Sequence, residues 1–388
     1  MTLADHYTRF AVASRLLLTG HSHQAWPDVA RDAQLAAYDA AASLVDGKWG
    51  DAFAKADRVR DHFRGLLSDP SGDIALGQNT HELVIRFLSA LDLAARPRLV
   101  TTDGEFHTLR RQLARLAEHG LEVVRVPAAP ADTLAERLAS EVDDRTAAVL
   151  VSSVLFETSR IVPDLGALAA ASARAGAELL IDAYHALGVV PFSIPAQGLH
   201  DAWVVGGGYK YLQLGEGNCF LRTPPHAQSL RPVLTGWFAE FDTLAAERDP
   251  SHVDYAPGSH RFAGSTYDPT SHYRAARVAD FFAEQGLTDH RLREISLHQT
   301  SLLAREFDAL GLPDDAITRD RDLPRTSYGG FVAFRAARAG EYQAALKERG
   351  VLTDNRGEHL RFGPAPYLSD DQLGEAIAVL GEVVKSTA

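Results

Sequence analysis

Apolar and polar positions change rhythm along the chain. In its first part, apolar residues recur at helical spacing. Residues 27–67 read as helix, with Pro27 at its start and breaks near Gly47 and Gly50, and residues 80–93 (THELVIRFLSALDL) repeat the pattern. Then short continuous apolar runs appear: PRLVTT (97–102), LEVVRVP (121–127), TAAVLVSSVLF (146–156), AELLIDAYHA (177–186) and DAWVVGGG (201–208). Helical stretches at 107–119, 131–141 and 164–175 separate them. Unbroken apolar strands alternating with helices predict a mostly parallel sheet buried on both faces. The expectation is an α/β domain sandwiched by helices over roughly 70–222. Past 270 the order changes to a long helical region (271–310), GGFVAFR (329–335), a helix at 339–349, VLTDNRGEHLRFGP (351–364) and a last helix from Ser369. That order predicts a smaller α+β domain with antiparallel strands. The division read from these textures is a large domain at 20–270 and a small one at 271–388 with 1–19, joined near Gly258, Gly264 and Pro269.

Composition narrows the classes. The 388 residues carry 39 Lys+Arg and 51 Asp+Glu, a net charge of −12. An acidic balance argues against a nucleic-acid binder, which needs a basic face for phosphates, and against an anionic membrane surface. No stretch approaches the ~18 apolar residues of a membrane span. The N-terminus carries Asp5 and no unbroken apolar core, so no signal peptide is expected and the protein reads as soluble and cytoplasmic. A single cysteine, Cys219, excludes a disulfide framework and any multi-cysteine metal site.

In α/β sheets ligands gather at the carboxyl ends of strands. Lys210 follows an apolar strand in the Gly-rich turn GGGYKY. The glycines allow a sharp bend, and flanking Tyr209 and Tyr211 would desolvate an amine, which lowers a lysine pKa and suits a Schiff-base lysine. Asp182 ends the apolar run of LIDAYHA, where a carboxylate is costly unless paired. It is either a turn residue or the partner of a buried cation such as a pyridinium nitrogen. Gln78-Asn79-Thr80 precedes a helix, as a plain N-cap or as a phosphate site on free amides. No Walker lysine motif or GxGxxG is present. Together these residues describe a pyridoxal-phosphate site.

On these motifs the chain resembles the class V aminotransferase superfamily of fold-type-I pyridoxal-phosphate enzymes, and within it kynureninase. The resemblance covers nearly the whole chain. It is sharpest at Asp182-Ala183-Tyr184-His185, at Tyr209-Lys210-Tyr211-Leu212 followed by Gly215 and Gly217, and at Gly236-Trp237-Phe238. It implies pyridoxal 5'-phosphate as cofactor, with Lys210 as the Schiff-base lysine, Asp182 on the ring nitrogen, His185 near the ring hydroxyl and Phe106 stacked on the ring. Asn79, Thr80, Tyr209 and Trp237 would hold the phosphate, with Thr266 arriving from the other subunit of a homodimer. Arg361, in HLRFGPAP, would clamp the carboxylate of an amino-acid substrate; read alone, it is a surface strand arginine. His23 is a candidate at the substrate mouth. No metal is expected.

The chain departs from that pattern in three places. Thr266, in FAGSTYDP, stands where kynureninase has an asparagine that reads the substrate's aromatic end. Leu155, in SSVLFETSR, stands where an asparagine is expected, and GHSHQAW (20–26) replaces Gly-Asn-Ser-Leu-Gly. These differences point away from kynurenine and leave the cofactor untouched. His21 and His23 read as solvent-exposed histidines or as a turn closing over the substrate mouth, and Cys219 as packing. The expected activity is hydrolytic Cβ–Cγ cleavage, with transamination, epimerisation or β-elimination as the alternative. A cofactor-binding protein without turnover is the third reading, which the retained Lys210 opposes.

Overall fold

The computed structural model describes residues 2–245, 249 and 251–387. The chain starts with β1 (Leu16–Leu17), α1 (Val29–Leu44), α2 (Trp49–Leu66), β2 (Asp73–Gly77) and α3 (Thr80–Ser89). There follow β3 (Arg98–Thr102), α4 (His107–Glu118), β4 (Glu122–Val126), α5 (Leu134–Ser140), β5 (Thr146–Ser152), α6 (Leu165–Arg174), β6 (Glu178–Asp182), β7 (Trp203–Gly207) and β8 (Cys219–Thr223). Seven of these strands form one sheet in the order β2-β8-β7-β6-β5-β3-β4, parallel except for β8. Every residue of β5 is buried, as are those of β7, which is why their sequences run apolar without alternation. Helices cover both faces, and Phe63 packs on Phe220 at 4.3 Å and Phe87 on Trp203 at 5.1 Å, one pair on each side.

The rest of the chain forms α7 (Thr270–Glu284), α8 (Asp289–Ala309), β9 (Thr318–Arg319), β10 (Val332–Arg335), α9 (Ala339–Glu348), β11 (Val351–Leu352), β12 (Asp354–Arg356), β13 (His359–Phe362) and α10 (Asp370–Thr387). An antiparallel sheet, β12-β13-β10-β9, packs under α8 and α9, and α10 packs on those two helices. Its register sets Asp354 opposite Arg361. The N-terminal segment reaches back to this region: β1 pairs with β11 in parallel, and Thr19 bridges to Gly363. Helix α7 packs on α1 and α2 instead.

The sequence pattern missed β2, whose DIALG is too short and mixed to stand out. It ran 271–310 together, whereas Gly286 at φ 64° ends α7 and Thr288 caps α8 through Arg291 N–H. It also carried the helix at 80 on to 93, past its end at Ser89.

The chain leaves β3 toward the edge strand β4, and leaves β5 the other way, toward β6. The strand order therefore reverses between β3 and β5, and ligands collect at such a point.

Candidate active site

Four strand ends and one helix start converge there. Phe106 follows β3, Ser152 ends β5, Asp182 ends β6 with Tyr184 and His185 just beyond, Tyr209 and Lys210 follow β7, and Thr80 opens α3; all line one enclosed site. The turn that presents Lys210 needs its glycines for space. A Cβ on Gly207 would lie 2.5 Å from the Tyr184 hydroxyl and 2.6 Å from Cys219 Sγ. Beyond the lysine, Gln213 is held at φ 59° by its buried side chain, which accepts from the Tyr7 hydroxyl at 2.5 Å and donates to Gln24 at 2.8 Å.

Lys210 is only 5% exposed. Its Nζ lies 2.5 Å from His185 Nε2, and near the rings of Tyr184 (4.9 Å), Phe106 (5.3 Å) and Tyr209 (5.8 Å). Burial pulls its pKa from 10.5 down to about 7, although the Asp182 carboxylate opposes the shift. The same burial, reinforced by Lys210, drives His185 well below the usual imidazole range. His185 is thus neutral and accepts a hydrogen bond from Lys210 at Nε2, an assignment that puts its own proton on Nδ1, which has no partner. Asp182 accepts from Tyr184 N–H at 2.9 Å, and its pKa is raised by burial. Asp182 is mostly buried and lines the site.

Glu105 escaped the sequence reading. It is 1% exposed and accepts from Ser152 Oγ (2.6 Å), Ser152 N–H (3.1 Å) and Thr102 Oγ1 (3.0 Å). Burial lifts it to about 7, helped by the neighbouring Asp182. The available clue was a glutamate one residue before Phe106, directly after a buried strand.

Asn79 stands just outside the site as the N-cap of α3, accepting from Glu82 N–H at 2.9 Å, so the plain capping role holds. His23 is exposed and stacks on Tyr209 at 4.8 Å. Trp237 and Thr266 do not line the Lys210 site of their own chain. Thr266 lines a separate cavity of about 760 Å³ beside Gln78 and His272, and Trp237 is 41% exposed among Phe238 and Phe241. This larger cavity is lined by neither Lys210 nor Asp182. Cys219 is buried 3.7 Å from the Tyr184 hydroxyl, its thiol pushed up to about 12 by burial, which suits packing rather than reaction.

Arg361 is not a surface residue. It is 3% exposed, pairs with Asp354 through Nε (2.9 Å) and Nη2 (2.6 Å), and donates from Nη1 to the carbonyl of Phe156, a residue of the Lys210 site. Asp354 was not foreseen, and its carboxyl is held far below the usual range against burial by His21 and Arg361. His21, expected at the surface, is wholly buried with Nε2 2.7 Å from Asp354, because Gly363 leaves room for its ring. No cluster of metal-ligating residues occurs among the described residues.

The residues fit pyridoxal 5'-phosphate. A buried amine, a carboxylate, an aromatic face, a neutral imidazole and a helix start surround one point. The free space among these residues, Lys210 included, is only about 20 Å³.

The fold is that of fold-type-I pyridoxal-phosphate enzymes. A solved structure of the cystine C–S lyase C-DES, a mutant with glycine covalently linked to its PLP cofactor, superposes with a TM-score of 0.85 at 16% identity, covering 98% of this chain and all of that one. By sequence the chain is similar to the kynureninase of Pseudomonas fluorescens, at 25% identity over 99% of this chain and 92% of that protein. It is also similar to an uncharacterized aminotransferase, YcbU, of Bacillus subtilis strain 168, at 23% identity over 85% of this chain and 84% of that protein. No protein-family model matches.

Proposed function

We propose that the chain is a pyridoxal-phosphate enzyme acting on an amino acid, with kynureninase-like hydrolytic Cβ–Cγ cleavage as the leading reaction. The observation that carries the reading is Lys210, a buried amine with a pKa near 7 between a buried carboxylate and three aromatic rings. Bound there, the cofactor supplies an electron sink for the electrons of a bond broken next to the substrate nitrogen. Lys210 Nζ then holds or accepts the α-proton, and His185 Nε2 keeps it in line. Asp182 offers its charge to a protonated ring nitrogen. Phe106 would cover one ring face, and His185 would approach the ring hydroxyl. Thr80, Asn79, Tyr209 and Trp237 would hold the phosphate, with Thr266 supplied by a second copy of the chain. Arg361 takes the substrate α-carboxylate, and His23 lies at the mouth.

Leu155 favours the second reading. It is buried and apolar where the kynureninase pattern has an asparagine, so another amino acid, reacting by transamination, epimerisation or β-elimination, is the alternative. One substrate screen separates them, read for anthranilate, alanine and keto-acid release. Alanine without keto acid supports hydrolysis, and anthranilate from kynurenine makes the kynureninase reading complete. Keto-acid release moves the assignment to the alternative. A colourless protein that binds no pyridoxal phosphate refutes both.

A further inference from the structure

Within the GHSHQAW segment His21 finds no use in that scheme, yet it is the most deeply enclosed histidine beside the site, with no exposure at all. Its ring lies 4.7 Å from Phe331, and the same ring carries the Arg361 guanidinium at 5.5 Å. Two backbone bonds fix the segment: Gly20 N–H to Gly363 O and Gly363 N–H to Leu18 O, both 2.8 Å. Gly363 is obligatory there, because a Cβ would come within 2.2 Å of His21 Nδ1. Burial takes His21 down to about 4, so at neutral pH it is an uncharged donor. Its Nε2–H can then fix the Asp354 carboxylate without cancelling its charge.

Arginine has five N–H donors. In Arg361, Nε and one N–H of Nη2 go to Asp354, and one N–H of Nη1 goes to Phe156 O. One N–H remains on each terminal nitrogen. We propose that His21 is a positioning residue for substrate binding: it locks Asp354 onto the Nε–Nη2 edge of Arg361 and so reserves the two remaining donors for a substrate α-carboxylate. The inference rests on the reading of Arg361 as the carboxylate clamp. The lock matters because Asp354 is itself a carboxylate. Released from His21, it would be the nearest competitor for the substrate's place, and the guanidinium plane would lose its reference. Arg356 also approaches Asp354, at 3.8 Å, too far for a hydrogen bond.

The test uses the chain loaded with pyridoxal phosphate and two probes, L-alanine and ethylamine, which differ by the carboxylate. Calorimetry gives the ratio of their affinities. His21→Leu is expected to lower the preference for L-alanine about tenfold, in line with one hydrogen bond to a charged group, with ethylamine unchanged. His21→Gln, whose amide sets a donor near the position of Nε2, is expected to restore most of it. If His21→Leu gives no cooperative melt, His21→Phe makes the same comparison with the ring kept. An unchanged ratio in the donor-less variant overturns the proposal, and so does an equal loss for both probes. Arg361→Ala separates the two readings. If it too leaves the ratio intact, the clamp reading falls and His21 falls with it. If it collapses the ratio while His21→Leu does not, the clamp stands and His21 alone is excluded.

Discussion

For Lys210 the decisive quantity is its desolvation. An amine that titrates near 7 is partly free at neutral pH, whereas an ordinary lysine is almost wholly protonated. Only the free amine attacks a carbonyl, so uptake of pyridoxal phosphate by the cofactor-free chain should slow as pH falls, with an inflection near 7. The rise of the visible band measures it; a rate that climbs steadily up to about pH 10, where an unshifted lysine titrates, would disprove the shift. Lys210→Ala should give a colourless protein, and borohydride trapping should label Lys210 rather than Lys48 or Lys55. At Asp182 the expected variant is Asp182→Asn, which keeps shape and loses charge. Breaking a buried pair costs about 3–5 kcal/mol, so kcat/KM should drop by at least about 10² while cofactor remains bound. Wild-type turnover would make Asp182 structural. Lys210 and Asp182 were legible because each terminates an apolar strand within one short motif. Asp354, Glu105 and the burial of His21 were not, because their partners are remote: Asp354 bonds a residue 333 positions away.

Helix α3 shows how one element carries two duties. Its Asn79 cap fixes the first turn, and Leu83, Val84 and Phe87 bury its inner face. Asn79→Ala should cost about 1 kcal/mol of stability through the lost cap. If the helix start also holds phosphate, the variant should lose more affinity for pyridoxal phosphate than for pyridoxal, measured by competitive titration. Equal losses would leave Asn79 as a cap alone. The strands of the main sheet were readable because double-sided burial writes itself as unbroken apolar runs. The antiparallel sense of β8 was not, since pairing direction leaves no mark on a five-residue run.

At the scale of the molecule the exposed apolar side chains are unevenly spread. Val233, Leu234, Trp237, Phe241 and Val253 all lie in one stretch, and Leu35, Tyr38, Leu44 and Val45 lie on or beside α1. The segment that holds Thr266 follows the first group, away from the lysine of its own chain. A second copy would cover such a surface, so the pair Trp237→Glu and Phe241→Glu should shift the mass from dimer to monomer in light scattering and weaken pyridoxal phosphate binding. A monomeric wild-type protein with full cofactor would contradict the shared site. The N-terminal segment has another consequence. Gln24 and Tyr7 hold the Gln213 amide beside the lysine loop, yet their own anchorage comes from Tyr367, Gly363 and β11. A ribosome makes that segment early and its anchors late. During synthesis every residue proposed to touch the cofactor is therefore available before the loop that presents Lys210 is braced, and the stretch from Lys210 to Tyr367 decides when the nascent chain can take up its cofactor, about 8–30 s after the lysine has been made.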